Sequence, residues 1–518
     1  MRKSMKHIGL LLAAFLMTAS VAACSNNNNS GSNATNVPPA TNNSQSTDAP
    51  DATADPLAEP YELTMAMPVF GAIPADLELV EAEINKYTKE KINTTIDILP
   101  ISIGNYGQQM NLMTSSGEKL DLMYEFGISS MYSNDALTGK LVALDELLAE
   151  YGEDTVAAIG ADYMESARVA GSIYGIPTMH SYASQPAIFM RKDIIDKHNI
   201  DVSSIHSLED LEPIFQVIKD KEPGMAGIAN GLSRTMDFYR SYDKLGDGIG
   251  VLPNFDNDMQ IVNLYETEEY AELLQLMREW FVAGYVNKDA ATTQTTASDM
   301  LKADKAFSYI TMNKPEIKAQ EERLIGKELV VVNLDIDAYA VTTDVITGLW
   351  GIAQQSENPE RAMMFLNMMY TDPVLANLII WGIEDKHYVK VSDNVIRYPD
   401  GIDSSTVGYA INALTTSNPF IAYTLEGTDP ELADSVLAWN ESAKKSKALG
   451  FTFNPSNVQN EITAIGNVNN RYHGILETGS VEPDSKLKEY ISQLKGAGID
   501  KVIAEKQKQL DEWAASKQ

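Results

Sequence analysis

The stretch Tyr61-Glu62-Leu63-Thr64-Met65-Ala66-Met67 alternates as a β-strand does, and together with the next thirty or so residues it decides the fold. Residues 75–91 place Leu79, Ala82, Ile84 and Tyr87 at helical spacing, and residues 94–99 read as a second strand. This is a β-α-β unit. Farther along, residues 105–116 read as a helix stopped by Gly117, 120–124 as a short buried strand, and 143–151 as an amphipathic helix ended by Gly152. Alternation of this kind predicts an α/β fold built on a parallel sheet with helices on both faces.

A second series starts at Ser172-Ile173-Tyr174-Gly175-Ile176-Pro177 and continues through a strand at 187–191 and a helix at 192–198. A helix over 207–221 opens on Ser-x-x-Asp, a variant of the capping box. Residues 254–265 read as a hairpin. Asp256, Asp258 and Gln260 fit the first positions of a calcium loop, but Ile261 stands where that loop needs Gly and Thr267 where it needs Glu. Further helices are predicted over 268–283, 297–303, 358–370, 429–449 and from 500 toward 517.

The chain has 518 residues, 44% hydrophobic and 22% charged, which is a globular composition and excludes a wholly disordered or collagen-like protein. Forty Lys+Arg against 72 Asp+Glu give a net charge of −32, which repels nucleic-acid phosphates and argues against DNA or RNA as a partner. Cys24 is the single cysteine, so no intramolecular disulfide and no thiolate metal cluster can form.

Arg2, Lys3 and Lys6 precede the apolar run 9–17, and small residues then lead into Cys24. Residues 1–23 therefore read as a signal peptide, whose apolar core falls short of the about 20 residues a bilayer span needs. Residues 24–59 are rich in Asn, Ser and Pro and nearly devoid of large apolar side chains, too little to offset ordering entropy by burial. They read as a disordered tether.

Catalytic motifs are scarce. There is no G-x-S-x-G, no Walker A loop, no G-x-G-x-x-G after a strand and no H-E-x-x-H, and the six histidines form no pair at metal-ligand spacing. No metal and no cofactor is expected. A pair of carboxylates of the glycosidase kind stays open, because such a pair needs no sequence spacing. Aromatic and polar side chains cluster at predicted strand ends, in Tyr124-Glu125-Phe126, Met179-His180-Ser181-Tyr182, Phe238-Tyr239-Arg240, Phe307-Ser308-Tyr309 and at Trp350. Sugars suit such groups, since a pyranose has apolar C–H faces for an aromatic ring and a rim of hydroxyls for polar partners.

Several motifs carry a resemblance. Val21-Ala22-Ala23-Cys24 resembles the lipobox of bacterial lipoproteins, in which the cysteine thiol is diacylated and the signal is cut before it. Gly139-Lys140-Leu141-Val142-Ala143-Leu144-Asp145-Glu146-Leu147-Leu148, Gly171-Ser172-Ile173-Tyr174-Gly175-Ile176-Pro177 with Arg191-Lys192-Asp193, Asn358-Pro359-Glu360-Arg361-Ala362 and Trp381-Gly382-Ile383-Glu384-Asp385-Lys386-His387-Tyr388-Val389 are similar to segments of extracellular solute-binding lipoproteins of Firmicute ABC importers. The likeness is to family-1-type oligosaccharide binders that carry a characteristic C-terminal domain of uncharacterised role.

The resemblance implies a periplasmic-binding-protein-like fold of two α/β lobes, joined by a hinge that the chain crosses more than once and closing around ligand. It assigns residues 60–178 with about 345–385 to the first lobe, and about 179–344 with 386–518 to the second lobe and a C-terminal helical region. Ligand contacts are expected from Tyr124, Glu125, His180, Tyr182, Asp237, Tyr239, Tyr309, Trp350 and Trp381. His180 stands where many sugar binders carry an acid and the loop 71–76 lacks an obvious aromatic, which leaves the sugar's charge and length open; no excess of Arg and Lys stands at the candidate positions, which argues for a neutral glycan over a uronate.

The function implied is a non-catalytic, monomeric receptor. It is lipid-anchored through Cys24 at the extracellular face of the cell membrane, and it passes an oligosaccharide to ABC permease subunits with their ATPase. The alternatives are a receptor for peptides or other solutes, a secreted glycoside hydrolase, and an adhesin or scaffold.

Overall fold

The computed structural model describes residues 56–127, 131–412 and 415–517. The signal peptide, the lipobox with Cys24 and the tether up to residue 55 lie outside them.

The opening strand β1 (Tyr61–Val69) is buried along most of its length instead of on alternate residues, because it has a strand on each side and helices on both faces. Its partner β2 (Thr94–Ser102) runs parallel, paired residue for residue from Tyr61 with Thr94 to Val69 with Ser102. The helix Leu77–Ile92 between them buries Leu77, Val80, Ile84 and Thr88 on one stripe and ends at Asn93, in the left-handed conformation that Asn tolerates. Next come β3 (Leu122–Glu125), parallel to β1, the small hairpin β4 (Arg168–Val169) and β5 (Ser172–Ile173), and β6 (Gly175–Pro177).

The chain then crosses to a second sheet. Its strands are β7 (Ala183–Arg191) and β8 (Ala226–Ile228), with β9 (Tyr242–Asp243) and β10 (Leu252–Pro253) as a separate hairpin, then β11 (Ala306–Asn313), β12 (Leu329–Asn333) and β13 (Tyr339–Ala340). It returns as β14 (Leu349–Ile352) between β3 and β6, completing the order β2-β1-β3-β14-β6. A three-stranded sheet comes next, β15 (Val389–Lys390), β16 (Val395–Arg397) and β17 (Thr424–Leu425). A third crossing through the helix Leu432–Ser442 brings β18 (Lys444–Lys445) beside β13. The two sheets have separate hydrophobic cores, one around Leu63, Met123 and Phe365, the other around Phe215, Trp280 and Tyr490.

Three expectations change. Neither main sheet is wholly parallel: β14 runs antiparallel to β3 and β6, and β7 antiparallel to β11, β12 and β13. The strand that re-enters the first sheet arrives from the other lobe, not over a crossover helix, so the rule that makes β-α-β units parallel does not govern it. Residues 386–425, assigned from sequence to the second lobe, attach to the first. His387, 2% exposed, sets its Nε2 3.2 Å from the Asp76 carboxylate, Gly408 carbonyl accepts from Asp76 N–H, and Ser417 carbonyl accepts from Met179 N–H. The helix expected over 429–449 spans only Leu432–Ser442, since Ala443 turns extended and the next two residues form β18.

The resembling motifs have structural duties too. Asn358 caps the helix Pro359–Thr371 by accepting the Arg361 N–H, and the buried Arg361 guanidinium donates to the carbonyls of Ile92 and Asn93. Val251 bridges Val262 antiparallel, and Asn257–Met259 form a tight 3₁₀ turn with positive φ at Asn257, Asp258 and Met259, so this region is a turn. Among the described residues no group of three or more His, Cys, Asp or Glu side chains is placed to hold a metal ion.

Candidate functional site

The three crossings define the junction of the lobes. The first and third are stitched by Asn440, whose side-chain oxygen accepts the Tyr182 N–H at 2.8 Å and whose amide donates to the His180 carbonyl at 2.8 Å. Trp439 donates its indole N–H to the Ala183 carbonyl at 2.8 Å.

In front of the second crossing lies a cavity of about 630 Å³. The first lobe contributes Gly127, Ser133 and Asn134, and the crossing itself Thr342 to Asp344 with Ile346 and Thr347. The second lobe supplies Arg240 and the loop from Lys244 to Asp247, and the C-terminal region adds Phe451, Thr452, Phe453 and Ile462. A recess off this cavity is walled by Arg240, Lys244, Asp344 and the rings of Phe255 and Tyr339, which stack 3.9 Å apart and 8° from parallel. At the carboxyl end of β1 a further recess of about 300 Å³ lies beside Phe70, whose exposed ring meets Phe126 edge-on at 6.4 Å. A groove of about 740 Å³ on the first lobe, among Asp145, Leu148, Val156 and Arg168, touches that lobe alone. Only the cavity at the crossing has walls from both lobes among these.

The loop that presents Lys244 is sharply folded. Leu245 and the glycines at 246, 248 and 250 all have positive φ, Asp243 accepts the Leu245 N–H at 2.8 Å, and a side chain at Gly250 would press within 2.9 Å of Ile503. From beneath, the wholly buried Lys506 on the helix Ile499–Ala515 donates to the Asp247 carboxylate and to the Ile249 carbonyl at 2.7 Å. Burial, with the Arg240 charge added, pushes the Lys244 ammonium below its ordinary pKa. Burial raises the Asp344 carboxyl, and Arg240 opposes that rise.

None of the nine residues expected from sequence lines this cavity. Tyr124 and Trp350 sit on adjacent strands with rings edge-to-face at 5.3 Å, both buried, and the Trp350 indole donates to the Thr415 carbonyl. Any Cβ at Gly348 would overlap the Tyr124 hydroxyl, so that tyrosine is keyed into the core. Glu125, on the same strand, is fully buried with neither carboxylate oxygen hydrogen-bonded among the described residues, and burial with Asp135 nearby raises its pKa well above the usual range. Tyr182 is buried against Tyr163 and His180, and burial pulls the His180 imidazole down to about 4. Tyr309 lies under the helices Ala297–Lys302 and Ile317–Ile325, donating to Glu321 at 2.6 Å. Trp381 is half-buried and donates to the Tyr423 carbonyl at 2.9 Å.

Tyr239 immediately precedes Arg240 of the cavity wall, and Asp237 contacts it. Asp237 accepts the Arg234 N–H and guanidinium, and its carbonyl accepts from Arg240 at 3.0 Å, while Tyr239 is half-buried with its phenol pushed up to about 12, chiefly by burial. For Tyr124, Tyr309 and Trp350 the physical reason is the same: a large aromatic on a central strand is flanked by strands and covered by helices, so it is core. The residues missed, Arg240, Lys244, Phe255, Tyr339, Phe451 and Phe453, lie in irregular segments. A signal for them existed in the glycine punctuation of Leu245-Gly246-Asp247-Gly248-Ile249-Gly250, which marks a loop held in conformations other residues avoid.

Two lobes around a cleft, bridged by three crossings, define a solute-binding protein. Residues 73–375 match the model of the bacterial extracellular solute-binding protein family, and the chain belongs to that family. Residues 447–515 match a domain of unknown function, DUF3502. A carbohydrate ABC transporter substrate-binding protein of Streptococcus pneumoniae is 30% identical over 498 residues, covering 92% of this chain and 94% of that protein. The crystal structure of the N-glycan transport solute-binding protein NgtS from Streptococcus pneumoniae matches with TM-score 0.77 at 29% identity, over 88% of this chain and 100% of that one. NgtS in complex with Man5GlcNAc matches with TM-score 0.63 at the same identity, over 88% and 99%.

Proposed function

We propose that the protein captures an oligosaccharide in the cavity between its lobes and delivers it to the permease of an ABC importer, without catalysing a reaction on it. The observation that carries this reading is the cavity of about 630 Å³ walled by both lobes, within the range of about 300–1,000 Å³ usual for ligand sites. Phe451 and Phe453 on its walls, beside Asn134, Arg240, Thr342 and Asp344, supply the ring surface and polar groups a sugar needs. The full-length likeness to an N-glycan binder supports the same class of ligand. The lower TM-score toward its Man5GlcNAc complex, at unchanged identity, supports a glycan-bound arrangement that differs from the present one.

In this reading Asp237 and Tyr239 position Arg240, while Tyr124, Glu125, Trp350, His180 and Tyr182 support the crossings, and Tyr309 and Trp381 brace the two lobes from farther out. The C-terminal domain forms one wall of the cleft through Phe451 and Phe453 and holds the Lys244 loop through Lys506. The two carboxylates lining the cavity are Asp247, which is bound to Lys506, and Asp344, a distribution that favours a receptor over a hydrolase with two free acids facing across the ligand. The protein is held by a lipid on Cys24 at the extracellular face of the membrane and spaced from it by residues 25–59.

A thermal-shift panel tests the reading. Neutral oligomannosides such as Man5GlcNAc should raise the melting temperature, since ligand at 100 times its Kd adds about 2.7 kcal/mol. A rise confined to peptides would replace the carbohydrate reading with the peptide one, and hydrolysis of the glycan over a day would favour an enzyme.

A further inference from the structure

The cleft holds two cations without a contact ion pair. In a chain where carboxylates outnumber cations, several half-buried and buried guanidiniums meet acids, Arg168 with Asp145 and Glu165, Arg191 with Asp193 and Asp304, and Arg234 with Asp237 and Glu477, while the buried Arg361 is met by main-chain carbonyls. Among the described residues neither Arg240 nor Lys244 has an ion-pair partner: Arg240 donates to the Asp237 main-chain carbonyl, and the Lys244 ammonium has no hydrogen-bond partner. Both line the cavity and the recess beside it.

Carboxylates act on these two charges from a distance, Asp344 on both and Asp237 and Glu477 on Lys244, but none makes a contact ion pair with either. Asp247 is engaged by Lys506. Asp344 accepts a long hydrogen bond from Ser184 at 3.5 Å; burial disfavours its charged form, Arg240 opposes that and Asp243 adds to it. Lys244 in turn is held below its ordinary pKa by burial and by Arg240. A sugar hydroxyl can hydrogen-bond to such groups but neutralises neither, whereas an anion does both. The loop is fixed by its own geometry. Its glycines take left-handed conformations and Lys506 fixes its underside, so ordering it on binding costs little.

We propose that Arg240 and Lys244 form a subsite for an anionic group carried by the glycan, a sugar carboxylate or a phosphate or sulfate ester. This assignment rests on the reading of the cleft as a carbohydrate site. It reverses the neutral ligand expected from sequence, because neither cation belongs to the nine positions on which that expectation stood.

Calorimetry on the protein compares Man5GlcNAc, the same oligomannose bearing a terminal phosphate monoester, and a uronic-acid-terminated oligosaccharide of matched length. At least one acidic glycan should bind about tenfold tighter than the neutral one, and that preference should shrink as salt is raised. Whether the phosphate or the carboxylate gains more identifies the source of the charge. Arg240→Gln and Lys244→Gln should each weaken the acidic glycan more than the neutral one; the wild-type comparison stands without them if either variant misfolds. A neutral glycan that binds as tightly as both acidic ones overturns the anion subsite and leaves the carbohydrate reading intact. If none of the three binds, the carbohydrate reading fails, and the subsite with it.

Discussion

Lys506, on the last helix of the chain, lies wholly buried with its ammonium on the Asp247 carboxylate and the Ile249 carbonyl, so the C-terminal domain grips the loop that carries Lys244 into the cleft. A buried cation persists only where its partners offset the desolvation, and burial still lowers the Lys506 pKa despite the Asp247 charge. The domain of unknown function thereby becomes part of the wall of the cavity between the lobes.

Lys506→Met should destabilise the protein by about 1–3 kcal/mol, less than a fully buried pair because Asp247 keeps some solvent contact. It should also weaken ligand binding several-fold by freeing the Lys244 loop. Lys501→Met removes an exposed pair with Glu461 from the same helix and should leave stability nearly unchanged. Denaturant melts and calorimetry on both variants separate loop positioning from a general effect on the helix.

Trp350→Ala should cost about 3–5 kcal/mol, as large buried aromatics do, because the side chain is fully buried between strands. Its effect on ligand affinity, measured at a temperature where the variant is folded, should be small. A variant of normal stability with lost binding would move Trp350 back among the ligand contacts.

Tyr339→Ala removes one half of the ring stack in the recess beside Arg240. The recess of about 20 Å³ is too small for a sugar ring, so the stack acts by holding the wall that carries Arg240, and affinity for an oligosaccharide should fall by less than about tenfold. Equal titrations for wild type and variant would exclude the stack as a support of that wall.

Two buried groups give opposite pH signatures. Burial depresses the His180 pKa to about 4, so the unfolded chain binds the proton more readily; its contribution is fully present above the unfolded value near 6.5 and is lost as pH falls toward about 4. Burial raises the Glu125 carboxyl, so its contribution is present below the unfolded value near 4.5 and is lost as pH rises above it. Glu125→Gln should therefore gain stability over wild type progressively above about pH 4.5. His180→Asn should narrow the loss of stability between about pH 6.5 and 4. Unfolding curves across pH 4–8 check both, and a pH-independent difference between wild type and Glu125→Gln would contradict the burial-driven shift.

Much of the fold was legible because its elements announce themselves locally. The β-α-β start, the helix Lys192–His198 and the helix Glu268–Ala283 follow from apolar spacing and from stops at Asn199 and Gly284. The helices Gln459–Glu477 and Pro483–Ala497 were not among those expected. The first carries Asn and Gly residues of low helix propensity, although Ile465, Val468, Tyr472 and Leu476 keep helical spacing and are buried. The direction of β14 and the attachment of residues 386–425 to the first lobe are set by contacts distant in sequence, such as His387 with Asp76. The site was the least legible part. Tyr124 and Trp350 have the composition of a sugar platform but lie on strands covered from both sides, whereas the cleft is lined from loops whose course only the tertiary structure fixes.

On the proposed reading the two lobes close on an oligosaccharide. Leu112→Cys on the first lobe and Val282→Cys on the second, both at exposed positions and in a Cys24→Ser background, allow spin labels to report the distance between lobes. Adding Man5GlcNAc, or whichever acidic glycan binds best, should move the distance distribution to a new position with the same saturation curve that calorimetry gives. A distribution unchanged at saturating glycan would contradict the account.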